Sequence, residues 1–177
     1  MTWYMVDVET DGPIPGEYSM IQIGAVIVEP GLERTFYGEL KPISSKYDPD
    51  ALRAIGITNW DVCTGYDHPR DVMERFEKWI METKGTARPR FISDNNGFDW
   101  MFVCWYFWRF LERNPFGYSS TNLSSFYRGL TRDMSTRLEH LRETPHTHHP
   151  VDDARGNAEA MMAMMALTAM DMQMLSR

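Results

Sequence analysis

The chain has 177 residues, 43% of them apolar and 24% charged, which suits a single globular domain, spanning 1–177, with a sizeable core. No uncharged apolar run approaches the ~20 residues that cross a bilayer, and the start MTWYMVDVET carries acids and no basic leader. Neither a membrane span nor a secretion signal is expected, and a cytoplasmic location is the default. The net charge of −7 argues against broad gripping of duplex phosphate.

The elements follow in chain order. Trp3 to Val8 is a short apolar, β-branched run and reads as a buried strand. Asp11-Gly12-Pro13-Ile14-Pro15-Gly16 is a turn. Met20 to Glu29 and Glu33 to Leu40 are two further strands split by Pro30-Gly31, so an antiparallel meander is predicted. Asp48 to Ile55 is predicted helical, with Pro49 near its start. Pro69 to Met81 places Val72, Phe76, Trp79 and Ile80 at helical spacing. Cys63 and Cys104 share no CxxC spacing and read as reduced thiols.

Arg90 to Ser93 is a short strand, and Phe98 to Arg113 is an aromatic-rich, largely buried helix that Pro115 ends. Residues 116–147 read as short helices and loops. Residues 101–142 hold six arginines against three acids, a local charge of +3 in a chain that is otherwise −10. That stretch is either a solvated, helix-supporting surface or a grip for phosphates. Pro150 to Leu175 is one long helix whose methionines (161, 162, 164, 165, 170, 172 and 174) are read as core filler, with a partner surface as the alternative. A meander, then helix, strand and helix, then a closing helix predicts an α/β fold on a mixed sheet.

Two carboxylates, Asp7 and Glu9, interrupt the first apolar run just before the turn. Side chains two apart on a strand share a face, so both converge on one point while Val8 enters the core. Two such charges ~4 Å apart repel by about 4 kcal/mol at an effective dielectric near 20. Asp99 and Asp153 alone would be ordinary acids at helix starts. If the chain gathers all four, a divalent cation is the natural remedy, and all-oxygen donors favour Mg²⁺ or Mn²⁺ over zinc.

His146, His148 and His149 crowd the loop before the last helix. Zinc ligation, a solvated loop without a role, and a general base beside metals are the three readings. Three histidines within four positions do not easily converge, which disfavours zinc.

With these residues in view, the chain resembles the RNase H-like (DnaQ-like) 3′–5′ exonucleases of the DEDD superfamily, in the histidine-bearing DEDDh subclass. Asp7-Val8-Glu9-Thr10-Asp11-Gly12 is similar to the DxExxG motif, Asn95-Asn96-Gly97-Phe98-Asp99 to NxxFD, and His148-His149-Pro150-Val151-Asp152-Asp153 to HxxxxD. Thr10-Asp11 replaces the frequent Thr-Thr, and Pro150 the frequent Ala; neither removes a ligand. The five-residue step selects His148 over His149 and Asp153 over Asp152.

The resemblance implies a mixed five-stranded sheet flanked by helices, and a homodimer. It implies two Mg²⁺ or Mn²⁺ ions on Asp7, Glu9, Asp99 and Asp153, with His148 as the base. The implied reaction releases nucleoside 5′-monophosphates from single-stranded 3′ ends or overhangs, RNA ahead of DNA. Thr10, Asp11, Asn95, Phe98, Arg128 and Arg132 are the expected substrate contacts. A non-catalytic nucleic-acid-binding module on the same fold is the alternative.

Overall fold

Strand alternation organises the centre of the molecule. The computed structural model describes the backbone of residues 1–175 and side chains as far as Leu167. Its strands are β1 (Thr2–Thr10), β2 (Met20–Ile27), β3 (Thr35–Glu39), β4 (Pro89–Ser93) and β5 (Ser120–Asn122). They form one sheet in the order β3-β2-β1-β4-β5. β1 pairs antiparallel with β2, and β2 with β3, so the predicted meander is present. β1–β4 and β4–β5 are parallel, which makes the sheet mixed.

The even residues of β1 (Tyr4, Val6 and Val8) enter a core with Phe76, Phe102 and Phe107. That core lies under α2 (Pro69–Thr83) and α3 (Asn96–Leu111). α2 forms because Pro69 opens it, His68 caps it by accepting from the Arg70 amide, and Val72, Phe76 and Ile80 recur at four-residue steps. On the other face Met5, Val26 and Ile92 meet Leu123, Ala154, Ala158, Met161 and Met164. These last five belong to α4 (Leu123–Thr131) and α5 (Pro150–Leu175). Burying each large apolar side chain contributes about 1.5–3 kcal/mol. Asp7 and Glu9 share the α5 face of β1 with Met5.

The expected helix at Asp48 is the short α1 (Pro49–Ala54). β1 runs past Val8 to Thr10, so Glu9 lies inside the strand. α3 starts two residues before Phe98 and stops at Leu111, where Glu112 takes a left-handed conformation with φ 57°. β5 is absent from the sequence reading because Ser-Thr-Asn has no apolar alternation; pairing with β4 makes it a strand. Met161 and Met164 are buried, as core filler should be, whereas Met165 is exposed. Side chains 170, 172 and 174 lie outside the described residues. Both cysteines are free. Among the described residues no helix is long and apolar enough to cross a membrane.

Candidate active site

The site forms where β1, the start of α3 and the start of α5 meet. Asp7 pairs across the sheet with Gly24, and Glu9 with Gln22. Gly24 is the reason α5 comes so close. A Cβ there would lie 2.3 Å from the Pro150 carbonyl carbon and 2.4 Å from the Val151 amide nitrogen. The bare backbone of β2 therefore lets the first turn of α5 rest beside Asp7 and bring Asp153 in from above. Asp7, Glu9 and Asp153 each offer an oxygen, and those atoms lie within 4.8 Å of one another.

Asp99 comes from the first turn of α3, where its amide bonds to the Asn95 carbonyl at 3.1 Å. It stands outside that tight trio, yet its charge acts on both Asp7 and Glu9. Asp99 and Asp153 are almost fully buried, at 3% and 1% exposure. A cleft of about 210 Å³ opens over them, walled by Asp94, Asn95, Phe98, Arg142, His146 and His148.

The electrostatics are those of crowded negative charge. Burial first, then the charges of Asp99, Glu9 and Asp153, push the Asp7 carboxyl well above the usual carboxylate range. Burial and the charges of Asp153 and Asp99 push Glu9 up to about 8. Burial likewise raises Asp99 to about 7, opposed by hydrogen bonding from Ser93 and Val8. Among the described residues, Arg142 is the cation that tempers Asp7. Its guanidinium donates to Asp94 at 3.1 Å and to Asn157 at 2.5 Å, tying β4 to α5 behind the carboxylates.

The histidine loop reaches the site through a left-handed residue, His148, at φ 59°. The bend lets the Thr147 and His148 amides donate to the two oxygens of Asp153 at 2.9 and 3.0 Å. The His148 ring stands 4.0 Å from Glu9. His149 turns away, stacking on Tyr37 at 5.0 Å with Asp152 nearby. The expectation that the histidines do not converge needs correction for one pair. His146 Nδ1 lies 3.0 Å from Asp153, and its ring is 4.4 Å from that of His148.

The expected substrate contacts divide. Asn95 and Phe98 line the cleft, Phe98 with one side against Phe102 at 5.1 Å. Thr10 and Asp11 do not. The Thr10 hydroxyl donates to the Gly12 carbonyl, and the fully buried Asp11 carboxylate accepts from the Ser19 amide at 2.5 Å and Trp60 Nε1 at 3.4 Å. Both build the corner between β1 and β2. Arg128 and Arg132 are also absent from the cleft lining. Arg128 donates to the Thr136 carbonyl, and Arg132 ends α4 in a left-handed, exposed conformation. The basic residue of the site is Arg142, which the sequence reading placed only within a broad arginine stretch. His146 was named only as one of three loop histidines, and Asp94 and Asn157 were missed. The i+4 step from Asp153 to Asn157 on one helix face was the available signal for the last.

Known proteins share this architecture. The nuclease domain of 3′hExo, described as a DEDDh family member bound to rAMP, superposes with a TM-score of 0.74 at 17% identity, covering 93% of this chain and 92% of that one. Exonuclease I of E. coli in complex with a dA16 oligonucleotide gives 0.71 at 19% identity, covering 94% and 41%. The 3′-5′ DNA exonuclease Cap18 of Escherichia coli is 37% identical, over 87% of this chain and 86% of its own length. Residues 2–165 match the 3′-5′ exoribonuclease Rv2179c-like domain. With that match over most of its length and the five motif residues gathered at one end of an RNase H-like sheet, the chain belongs to the 3′-5′ exoribonuclease Rv2179c-like family.

Proposed function

We propose that the protein removes nucleotides one at a time from single-stranded 3′ ends of either RNA or DNA, using two divalent ions of the Mg²⁺ or Mn²⁺ type. The observation that carries this reading is the crowding of Asp7, Glu9, Asp99 and Asp153, whose mutual charge and burial favour proton uptake when no cation is bound. An all-oxygen donor set with raised proton affinity suits hard divalent cations. These four carboxylates would hold the ions, which when bound activate water and stabilise the leaving oxygen. In the reaction water adds to the terminal phosphorus, the P–O3′ bond breaks, and a nucleoside 5′-monophosphate leaves a shortened strand with a free 3′-hydroxyl.

His148 takes the proton of the attacking water. Its Nδ1 is turned toward Glu9, which leaves Nε2 for that task. The Asp153 carboxylate, held by two loop amides, fixes the loop and with it the imidazole. Phe98 offers its free face to the terminal base, a sequence-tolerant contact. Arg142 holds the walls of the cleft together.

The expected preference for RNA loses the two side chains that were expected to carry it. A protein separates the two sugars at the 2′-hydroxyl, and Thr10 and Asp11, the expected sugar contacts, are occupied within their own corner. Tolerance of both sugars also accords with a family described by an exoribonuclease and a relative described as a DNA exonuclease. Incubating 5′-labelled single-stranded RNA and DNA with Mg²⁺ or EDTA tests this. Shrinking ladders for both sugars, lost in EDTA, are expected. Digestion of only one sugar would overturn the tolerance, and digestion in EDTA would overturn the metal.

A further inference from the structure

The structure carries a second groove, separate from the catalytic cleft. It encloses about 670 Å³ between the β1–β2 loop, the segment after β3 and the outer side of α3, within the range of ligand-binding grooves. Lys41, His68 and Arg109 line it together with Trp105 and Phe110. Among the described residues neither Lys41 nor Arg109 makes an ion pair. Both are exposed. Two unneutralised cations beside aromatic rings stand out in a chain whose net charge is −7.

One face of α3 runs from the cleft to the groove. Phe98, Met101, Trp105 and Trp108 recur at three- and four-residue steps, so they form one stripe, with Arg109 at its edge. Phe98 stands in the catalytic cleft and Trp105 in the groove. At 1.5 Å per residue the distance from Phe98 to Arg109 is about 16 Å along the helix. The stripe is accessible along its length, and Trp108 is 55% exposed. Gly16, at φ +93°, sets the β1–β2 loop against the Trp105 ring, where an added Cβ would be 3.4 Å away. The indole is thereby seated as a fixed wall.

We propose that this groove binds the upstream, 5′-side nucleotides of the strand whose 3′ end lies in the cleft. Bases stack on Trp105 and its neighbours on α3, and Lys41 and Arg109 hold the phosphates. Sequence-independent binding of single strands needs this combination of cations that follow a backbone and aromatic faces that accept any base. The proposal rests on the exonuclease reading of the cleft and adds a length-dependent grip to it.

The test compares steady-state KM and kcat on a dinucleotide, too short to span the groove, and on a single strand of about 15 nucleotides. In the wild type, KM is expected to be about tenfold lower for the longer strand. In Lys41→Glu/Arg109→Glu that advantage should shrink to within about twofold, with kcat on the longer strand little altered. Trp105→Ala should do the same, and Trp105→Phe should restore most of the advantage. Because Lys41 and Arg109 are exposed, the charge reversal remains informative if Trp105→Ala fails to fold.

A length advantage that survives the charge reversal would overturn the proposal. So would an equal rise in KM for both substrates. If the reversal leaves the advantage intact and converts a dimer to a monomer by light scattering, the groove belongs to a second copy and the proposal falls. If the wild type cleaves neither substrate, the reading of the cleft itself has failed, a result distinct from the others.

Discussion

Asp7 and Glu9 end in a different situation from Asp11, although all three stand within five positions of one strand and its turn. Asp11 is wholly buried, and hydrogen bonds from Ser19 and Trp60 address its oxygens. Asp7 and Glu9 face other carboxylates, and their own amides are spent in the sheet. Burial raises the proton affinity of all three. What differs is the sign of the surroundings. A buried carboxylate met by donors is part of the framework, whereas carboxylates that meet one another hold open a place for a cation.

The largest effect that should separate the two is on activity. Asp7→Asn or Asp99→Asn should lower the rate on a labelled single strand by at least about a thousandfold, since several kcal/mol of charge stabilisation disappears. The circular dichroism of both variants should stay that of the folded protein. Retained activity in either would remove that residue from the site.

A smaller loss, on the order of a hundredfold, is expected for His148→Ala, the contribution of a general base. His149→Ala should stay near the wild-type rate, because its ring stacks on Tyr37 outside the cleft. The reverse ranking would move the base to the other histidine.

The smallest expected effect is on Asp11. Asp11→Ala leaves the buried Ser19 amide and the Trp60 indole without an acceptor and should cost about 1–3 kcal/mol of stability in a urea titration. Its kcat should change far less than that of Asp7→Asn. A loss of activity as deep as that of Asp7→Asn, in a protein of full stability, would place Asp11 in the chemistry after all.

The same contrast explains what was legible in the sequence. Strand alternation is a local rule, so Asp7 and Glu9 were placed on one face from their spacing alone. The choice between adjacent histidines came from the resemblance to HxxxxD, and the fold places His148 beside Glu9 and His149 beside Tyr37. The burial of Asp11 was not legible, because Asp-Gly-Pro carries a turn signal and says nothing of what packs on the turn. Its partner Trp60 is 49 residues away, brought in by the fold rather than by any local pattern. Arg142 and His146 were named without being placed at the site, for a related reason. They follow a stretch with weak periodicity, and their positions depend on where α5 packs. That packing is set by Gly24, a residue whose role is visible only once the Pro150 backbone lies against it.

If the carboxylate cluster holds divalent cations as proposed, the melting temperature against pH, with and without Mn²⁺, tests that role most directly. In the folded protein Glu9 is raised to about 8, Asp99 to about 7, and Asp7 in the same direction. Between the ordinary carboxylate range and these values the folded state binds more protons than the unfolded chain. Stability from these groups is therefore full below about pH 4 and is lost as pH rises through 7 to 8. In EDTA the melting temperature should fall between about pH 5 and pH 8.5, Asp7→Asn should flatten that fall, and millimolar Mn²⁺ should restore the lost stability in the wild type. A wild-type melting temperature indifferent to Mn²⁺ at pH 8, with no dependence on pH in EDTA, would contradict the assignment of these carboxylates to metal.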